Sequence, residues 1–176
     1  MRSLWNCISE STGVIEQVRR ARLQDLDDIL LLGREASPSG SHLVEAEVTE
    51  WLYTKGVWVA VRDDSLVGVA AWQAENLLAV TDVLHVAPPK HWPGAGRQLL
   101  ATIERAAQTL MCEANVVVLP KLASQAARAL LQQQGYEQKS MEELHRIWRE
   151  VLGDFAGDGL ELMVKQLRDR MVMVPL

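Results

Sequence analysis

Gly94, Ala95 and Gly96 stand between an apolar run and a helix-patterned one, an order of residue types suited to holding an anion. Glycines leave no Cβ between the main chain and a phosphate. A helix opening just beyond them turns its free N–H groups and the positive end of its dipole toward that phosphate. Leu99, Leu100, Ile103 and Ala107 recur at helical spacing behind the glycines, the pattern of a helix laid on a sheet. The chemistry implied is capture of a phosphorylated cofactor. Spacing argues against two familiar nucleotide loops: no lysine follows the glycines as a Walker loop requires, and Leu99 takes the place of the third glycine of a dinucleotide fingerprint.

The apolar run ends in Val86-Ala87-Pro88, and His91-Trp92-Pro93-Gly94-Ala95-Gly96 follows. This stretch resembles the pyrophosphate loop of the GNAT superfamily of acyl-CoA-dependent N-acyltransferases, where V-x-P precedes [QR]-x-x-G-x-[GA] at the head of a helix. His91 stands where that family has Arg or Gln, Trp92 falls on a frequent glycine, and Pro93 brings no N–H. Residues 114–137 resemble a second family segment, N-x-x-A-x-x-L-Y-x-x-x-G-F. Aligned on Gly135 and Tyr136, Ser124 takes the place of the asparagine and Leu131 that of the tyrosine.

The resemblance implies an α/β fold: a mixed, bent central sheet with helices on both faces and a slot where two central strands splay. It implies acetyl-CoA as cosubstrate, its pyrophosphate on Gly94, Ala95, Gly96 and Arg97 and its pantetheine on the backbone of Leu84, His85 and Val86. His91 becomes a cationic or hydrogen-bonding substitute for the arginine, Trp92 a cover for adenine or pantetheine, and Ser124 a further cofactor contact. A small-molecule or peptide amine would attack the thioester directly, in a ternary complex without a covalent acyl-enzyme. In the family the tyrosine often protonates the leaving thiolate, and Leu131 cannot. A second reading therefore stays open, a noncatalytic module of the same fold that acts through protein contacts with weak or no CoA binding.

Acyl transfer to an amine calls for a base, because an alkylammonium of pKa near ~10 must lose a proton before its nitrogen attacks. Asp82 is the candidate catalytic residue. On strict alternation it shares a face with Leu84 and Val86 while His85 points to the other. The duller alternative is a strand-end aspartate bonded to a loop, and Glu75 reads as a solvated charge. His85 and His91 have no carboxylate or cysteine at ligand spacing, so no metal site is expected. Cys7 and Cys112 lie far apart outside any CxxC pattern and read as reduced thiols. Trp51, Trp58, Trp72 and Trp148 read as core, in a chain with a single phenylalanine.

The elements that must position these residues fit one domain over 1–176, long enough at 48% hydrophobic residues to bury a substantial core. Eighteen Lys and Arg against 23 Asp and Glu give a net charge of −5. With no basic run, nucleic acid is not an expected partner. The first twenty residues hold no continuous apolar run of the secretory kind, and no later stretch is of membrane-spanning length, so the expectation is a soluble cytoplasmic protein.

Periodicity predicts a strand over 14–22, a helix over 23–36, a loop over 37–41 and a helix over 43–54. A hairpin over 57–62 and 66–73 follows, then a strand over 78–87 leading to the glycines. Next come the glycine-headed helix, a strand over 115–119 and a helix over 123–134 capped by Gly135. Residues 138–159 read as an extra helix and loop, the helix over 140–152 opened by a Ser140/Glu143 capping box, and 160–167 as the last strand. Residues 1–13 read as a poorly structured segment. The apolar tail within 168–176 suits packing on a second copy in a homodimer.

Overall fold

The protein is described by a computed structural model covering residues 17–36, 43–155, 157 and 159–169. The expected tail contact, the residues 1–13 and the 37–41 loop lie outside the described residues, apart from Arg168 and Asp169 at the start of the tail.

Among the described residues seven strands form one mixed sheet in the order β1-β2-β3-β4-β5-β7-β6. They are β1 (Gln17–Arg20), β2 (Gly56–Arg62), β3 (Ser65–Glu75), β4 (Leu78–Val86), β5 (Ala114–Pro120), β6 (Glu137–Lys139) and β7 (Leu160–Gln166). Among the described residues only β4 and β5 run parallel. The predicted hairpin forms as β2 and β3, turning through Asp63 and Asp64 at φ of 48° and 59°, the left-handed pair of a two-residue turn. The α-helices among the described residues are α1 (Leu26–Ala36), α2 (Glu45–Thr54), α3 (Arg97–Thr109), α4 (Gln125–Gln133) and α5 (Arg146–Leu152).

Alternation along the strands feeds two faces. Ala60, Ala70, Ala79, Leu84, Val86 and Val117 meet Leu99, Leu100 and Ile103 of α3 and Ala127, Leu130 and Leu131 of α4. On the other face Val57, Val59, Val69, Ala71 and Val83 pack on Ile29, Leu32 and Val48 of α1 and α2. Beside them Leu78, Val80, Ala114 and Val116 pack on Trp148, Val151 and Leu152 of α5. The helix expected over 140–152 is broken in two. Glu143 accepts from the Ser140 N–H at 2.7 Å and closes a single 3₁₀ turn, Met141–Glu143; Leu144 is extended; and His145 caps α5 afresh, its Nδ1 accepting from the Ile147 N–H at 3.4 Å. The capping box is present, yet it starts one turn rather than a long helix, and the extended Leu144, its side chain buried, separates that turn from α5.

A buried polar chain ties the centre of the sheet to its far edge. Thr81 donates to Asn115 Oδ1 (3.0 Å), Asn115 Nδ2 donates to the Tyr136 hydroxyl (2.7 Å), and that hydroxyl donates to Glu104 (2.9 Å), which also accepts from Lys165 (2.7 Å). Every buried member has a partner, so the chain fixes β4 against β5 without the cost of an orphaned group. Burial, then the carboxylate of Glu104, pushes the Tyr136 phenol far above its usual range.

Candidate active site

The site begins at an extra residue. Pairing of β3 with β4 passes from Ala71↔Val83 to Trp72↔Thr81, which leaves Asp82 as a bulge. Bulges bend and twist the strand that carries them. The parallel pairing of β4 with β5 ends there, at Thr81↔Val117. Beyond it β4 stays with β3 as far as Val86, and β5 stays with β7 as far as Pro120. The two central strands part, and a cavity of about 170 Å³ lies in the gap.

Leu84, His85 and Val86 of β4, Leu119 and Pro120 of β5, Ser124 and Ala127 of the α4 end, Trp92, and Glu35 at the end of α1 all line this cavity. The slot that the sequence resemblance calls for is present. Its strand edges on both sides have left their β4–β5 partners, which gives an extended, amide-bearing ligand backbone groups to bond.

The bulge overturns the expected strand parity. Below it Ala79 faces α3, above it Leu84 and Val86 do, and Val83 and Ala87 face α1 and α2. Asp82 does not join Leu84 and Val86. Its carboxylate forms an ion pair with Lys55, just past α2, and Lys55 lies 5.8 Å over the Phe155 ring. The other carboxylate oxygen, Oδ1, is buried with no hydrogen-bond partner among the described residues. His85 takes the parity of Val83 and Ala87, on the α1 side, and is half-buried in the cavity wall. Burial pushes its imidazole below the usual histidine range, which favours the neutral form.

The glycine corner is wound rather than open. Pro89–His91 forms a 3₁₀ turn and Trp92–Gly96 a π-helical turn that runs straight into α3. The His91 N–H donates to Pro88, that of Trp92 to Pro89, and that of Arg97 to Gly94 and Trp92. Pro93, inside the corner, has no N–H to offer an anion. Gly96 has a second reason to be glycine. A Cβ there would lie 2.6 Å from Cε3 of the buried Trp92 and 2.8 Å from Cδ2 of Leu130.

His91 is drawn away from the cavity. Its Nδ1 sits 3.1 Å from Arg62 Nη1, and burial together with the charges of Arg62 and Lys90 lowers its pKa, which favours the hydrogen-bonding form of the expected substitute over the cationic one. Arg97 is exposed at the first position of α3. Ser124 caps α4, its hydroxyl accepting from the Ala127 N–H at 3.1 Å, while also lining the cavity. Leu131 is fully buried in the α3–α4 core. Cys112 is a buried free thiol whose pKa burial raises, and Cys7 lies outside the described residues. Among the described residues no group of three or more His, Cys, Asp or Glu side chains could hold a metal ion, and no helix is long and apolar enough to cross a membrane. Sequence reasoning passed over Glu35, Lys55 and the Asn115–Tyr136 pair. Of these only Asn115, a polar residue opening an otherwise apolar strand, carried a visible signal.

No family model matches the sequence, and no curated protein matches it. Solved structures do match by shape. N-acetylglutamate synthase from Neisseria gonorrhoeae, solved with coenzyme A and N-acetyl-glutamate, is similar at TM-score 0.67 and 20% identity over 86% of this chain. The chain spans only 35% of that protein. The ribosomal-protein-S18-alanine N-acetyltransferase from Escherichia coli is similar at TM-score 0.66 and 13% identity, covering 91% of this chain and 99% of its own. A GNAT-family acetyltransferase from Staphylococcus aureus is similar at TM-score 0.67 and 9% identity, covering 86% and 99%. The fold is that of the GNAT N-acetyltransferases.

Proposed function

We propose that the chain moves an acetyl group from acetyl-CoA to an amine. The observation that carries this reading is the parting of β4 from β5 at the Asp82 bulge, over a cavity bordered by Trp92 of the glycine corner. Coenzyme A is bound in the gonococcal relative of this fold, in keeping with a CoA-type cosubstrate here. Acetyl-CoA supplies the acyl group as a thioester. Leu84, His85 and Val86 present strand backbone to its pantetheine arm, and Gly94, Ala95 and Gly96 present the remaining N–H groups of the corner to its pyrophosphate.

His85, rather than Asp82, accepts the proton of the attacking ammonium: it lines the cavity, burial favours its neutral form, and among the described residues it forms no ion pair that would have to be displaced. The new C–N bond forms as the C–S bond breaks. With Leu131 in the core, no phenol at that position meets the departing sulfur, and its proton comes from solvent. The same burial of Leu131, with the wound corner and Trp92 packed on Gly96, favours a second reading, a noncatalytic module of this fold. Calorimetry with acetyl-CoA separates the two. Binding followed by release of free CoA in the presence of amines is the expected result, and no heat or thermal shift at excess acetyl-CoA would leave the noncatalytic module.

A further inference from the structure

Once β4 has left β5, the chain from Pro120 to Ser124 forms one wall of the slot: Pro120, Leu122, Ala123 and Ser124 all line the cavity. Lys121 to Ser124 belongs to no strand or helix, so bonds of another kind must order it. The Lys121 N–H donates to Gly159 at 2.7 Å, and the Ala123 N–H to Pro120 at 2.8 Å. The carbonyls converge on one side chain from the first turn of α4. Arg128 Nη1 donates to the Ala123 carbonyl at 2.7 Å, and Nη2 donates to that of Lys121 and, at 3.5 Å, to that of Pro120. Its Nε donates to Glu161 Oε2 at 2.9 Å. We infer that Arg128, oriented by Glu161, is a positioning residue for acetyl-CoA, holding this wall in its binding form from outside the cavity. The inference rests on the acetyl-transfer reading above and adds to it the residue that orders the slot.

Glu161 lies on β7 opposite Leu119, and β7 is bonded on both sides, to β5 and to β6. Arg128 therefore ties the wall to the strand that stays beside it rather than to the one that leaves. A planar guanidinium can serve a carboxylate on one edge and carbonyls on the other, whereas a lysine ammonium is a point charge on a flexible stem. The two side chains are 29% and 18% exposed, so their charge attraction alone adds little stability and the arrangement of the carbonyls is the larger consequence. With the carbonyls drawn to Arg128, the Leu122 and Ser124 N–H groups have no hydrogen-bond partner among the described residues. Both residues line the cavity, and an arm that carries amide carbonyls gains most from donors already fixed before it binds.

The test compares acetyl-CoA binding by calorimetry, and amide hydrogen exchange, in the full chain and in Arg128→Met, Arg128→Lys and Glu161→Gln. Arg146→Met, which breaks the exposed Arg146–Glu150 pair of α5, is the control. Arg128→Met should raise the Kd roughly tenfold and the Lys and Gln variants about threefold, while the control keeps the parental value. Guanidinium ion at millimolar concentration should recover part of the loss in Arg128→Met and leave the parent unchanged. In the parent, acetyl-CoA should slow exchange at Leu122 and Ser124, and in Arg128→Met exchange over 121–124 should be faster than in the parent. Should Arg128→Met not fold, Arg128→Lys carries the same comparison. Variants with a lower Tm but the parental Kd and exchange pattern would overturn the inference and leave Arg128 a structural residue. If the parent itself binds no acetyl-CoA, the acetyl-transfer reading fails first, and the free protein decides on Arg128. Faster exchange confined to 121–124 then supports its hold on the wall, and unchanged exchange overturns it.

Discussion

Lys55 and Asp82, 27 positions apart in sequence, form an ion pair at the point where the sheet opens, their side chains 14% and 17% exposed. The pair joins the end of α2 to the bulge of β4, and Phe155 under the ammonium brings in the segment after α5. Its place makes it a fastener of the open strand.

Asp82→Asn should therefore cost stability. The half-hidden Lys55 ammonium would face an amide, a loss of about 2–3 kcal/mol in denaturant unfolding, and adding Lys55→Met should recover part of it. The pH–rate profile should keep the parent's shape. An Asn variant as stable as the parent but lacking the acid limb would return Asp82 to the role of base.

How much of this was legible beforehand follows from which forces act locally. Apolar periodicity marked α3, α4 and the β2–β3 hairpin, because one buried face is enough to define each of them. The slot could be expected only through resemblance to a known family. The bulge at Asp82 was invisible: an extra residue in a strand leaves no trace in composition, and it reverses the parity of every residue after it. Glu35 and His85 meet in one cavity wall only because α1 packs across β4, a contact between elements that no spacing records. Trp92 was readable as part of a loop, but not as the ring that fixes Gly96.

Leu131 gives a second prediction. It is fully buried between α3 and α4, so Leu131→Ala should lose about 2–5 kcal/mol through the cavity it leaves. Leu131→Tyr should overpack the same place at about 1–3 kcal/mol. Neither should alter the pH dependence of acetyl transfer. A Tyr variant of parental stability and higher turnover would show that the position borders the reacting sulfur.

Gly96→Ala separates packing from phosphate contact. The new methyl would meet Trp92 at 2.6 Å and Leu130 at 2.8 Å, so a lower Tm is expected, at about 1–3 kcal/mol, eased by adding Trp92→Leu. An unchanged Tm with lost CoA affinity would mean that the glycine serves the ligand alone.

The last prediction concerns His85 and has two signs to satisfy. Burial lowers its pKa in the folded protein relative to the unfolded chain, so the unfolded state binds the extra proton first as pH falls. The stability held above the ordinary histidine pKa of ~6.5 should drain away as pH drops through the lower folded value, and His85→Gln should remove that acid-side loss. Activity should follow the same group. As the base, neutral His85 gives kcat/KM an acid limb with a midpoint below the ordinary value, and His85→Gln should lower kcat/KM about 10²-fold at neutral pH. Alkaline conditions should restore much of that rate as free amine accumulates. A variant with parental kcat/KM and an unshifted acid limb, while acid stability alone changes, would leave His85 as a wall of the cavity and assign the proton to water.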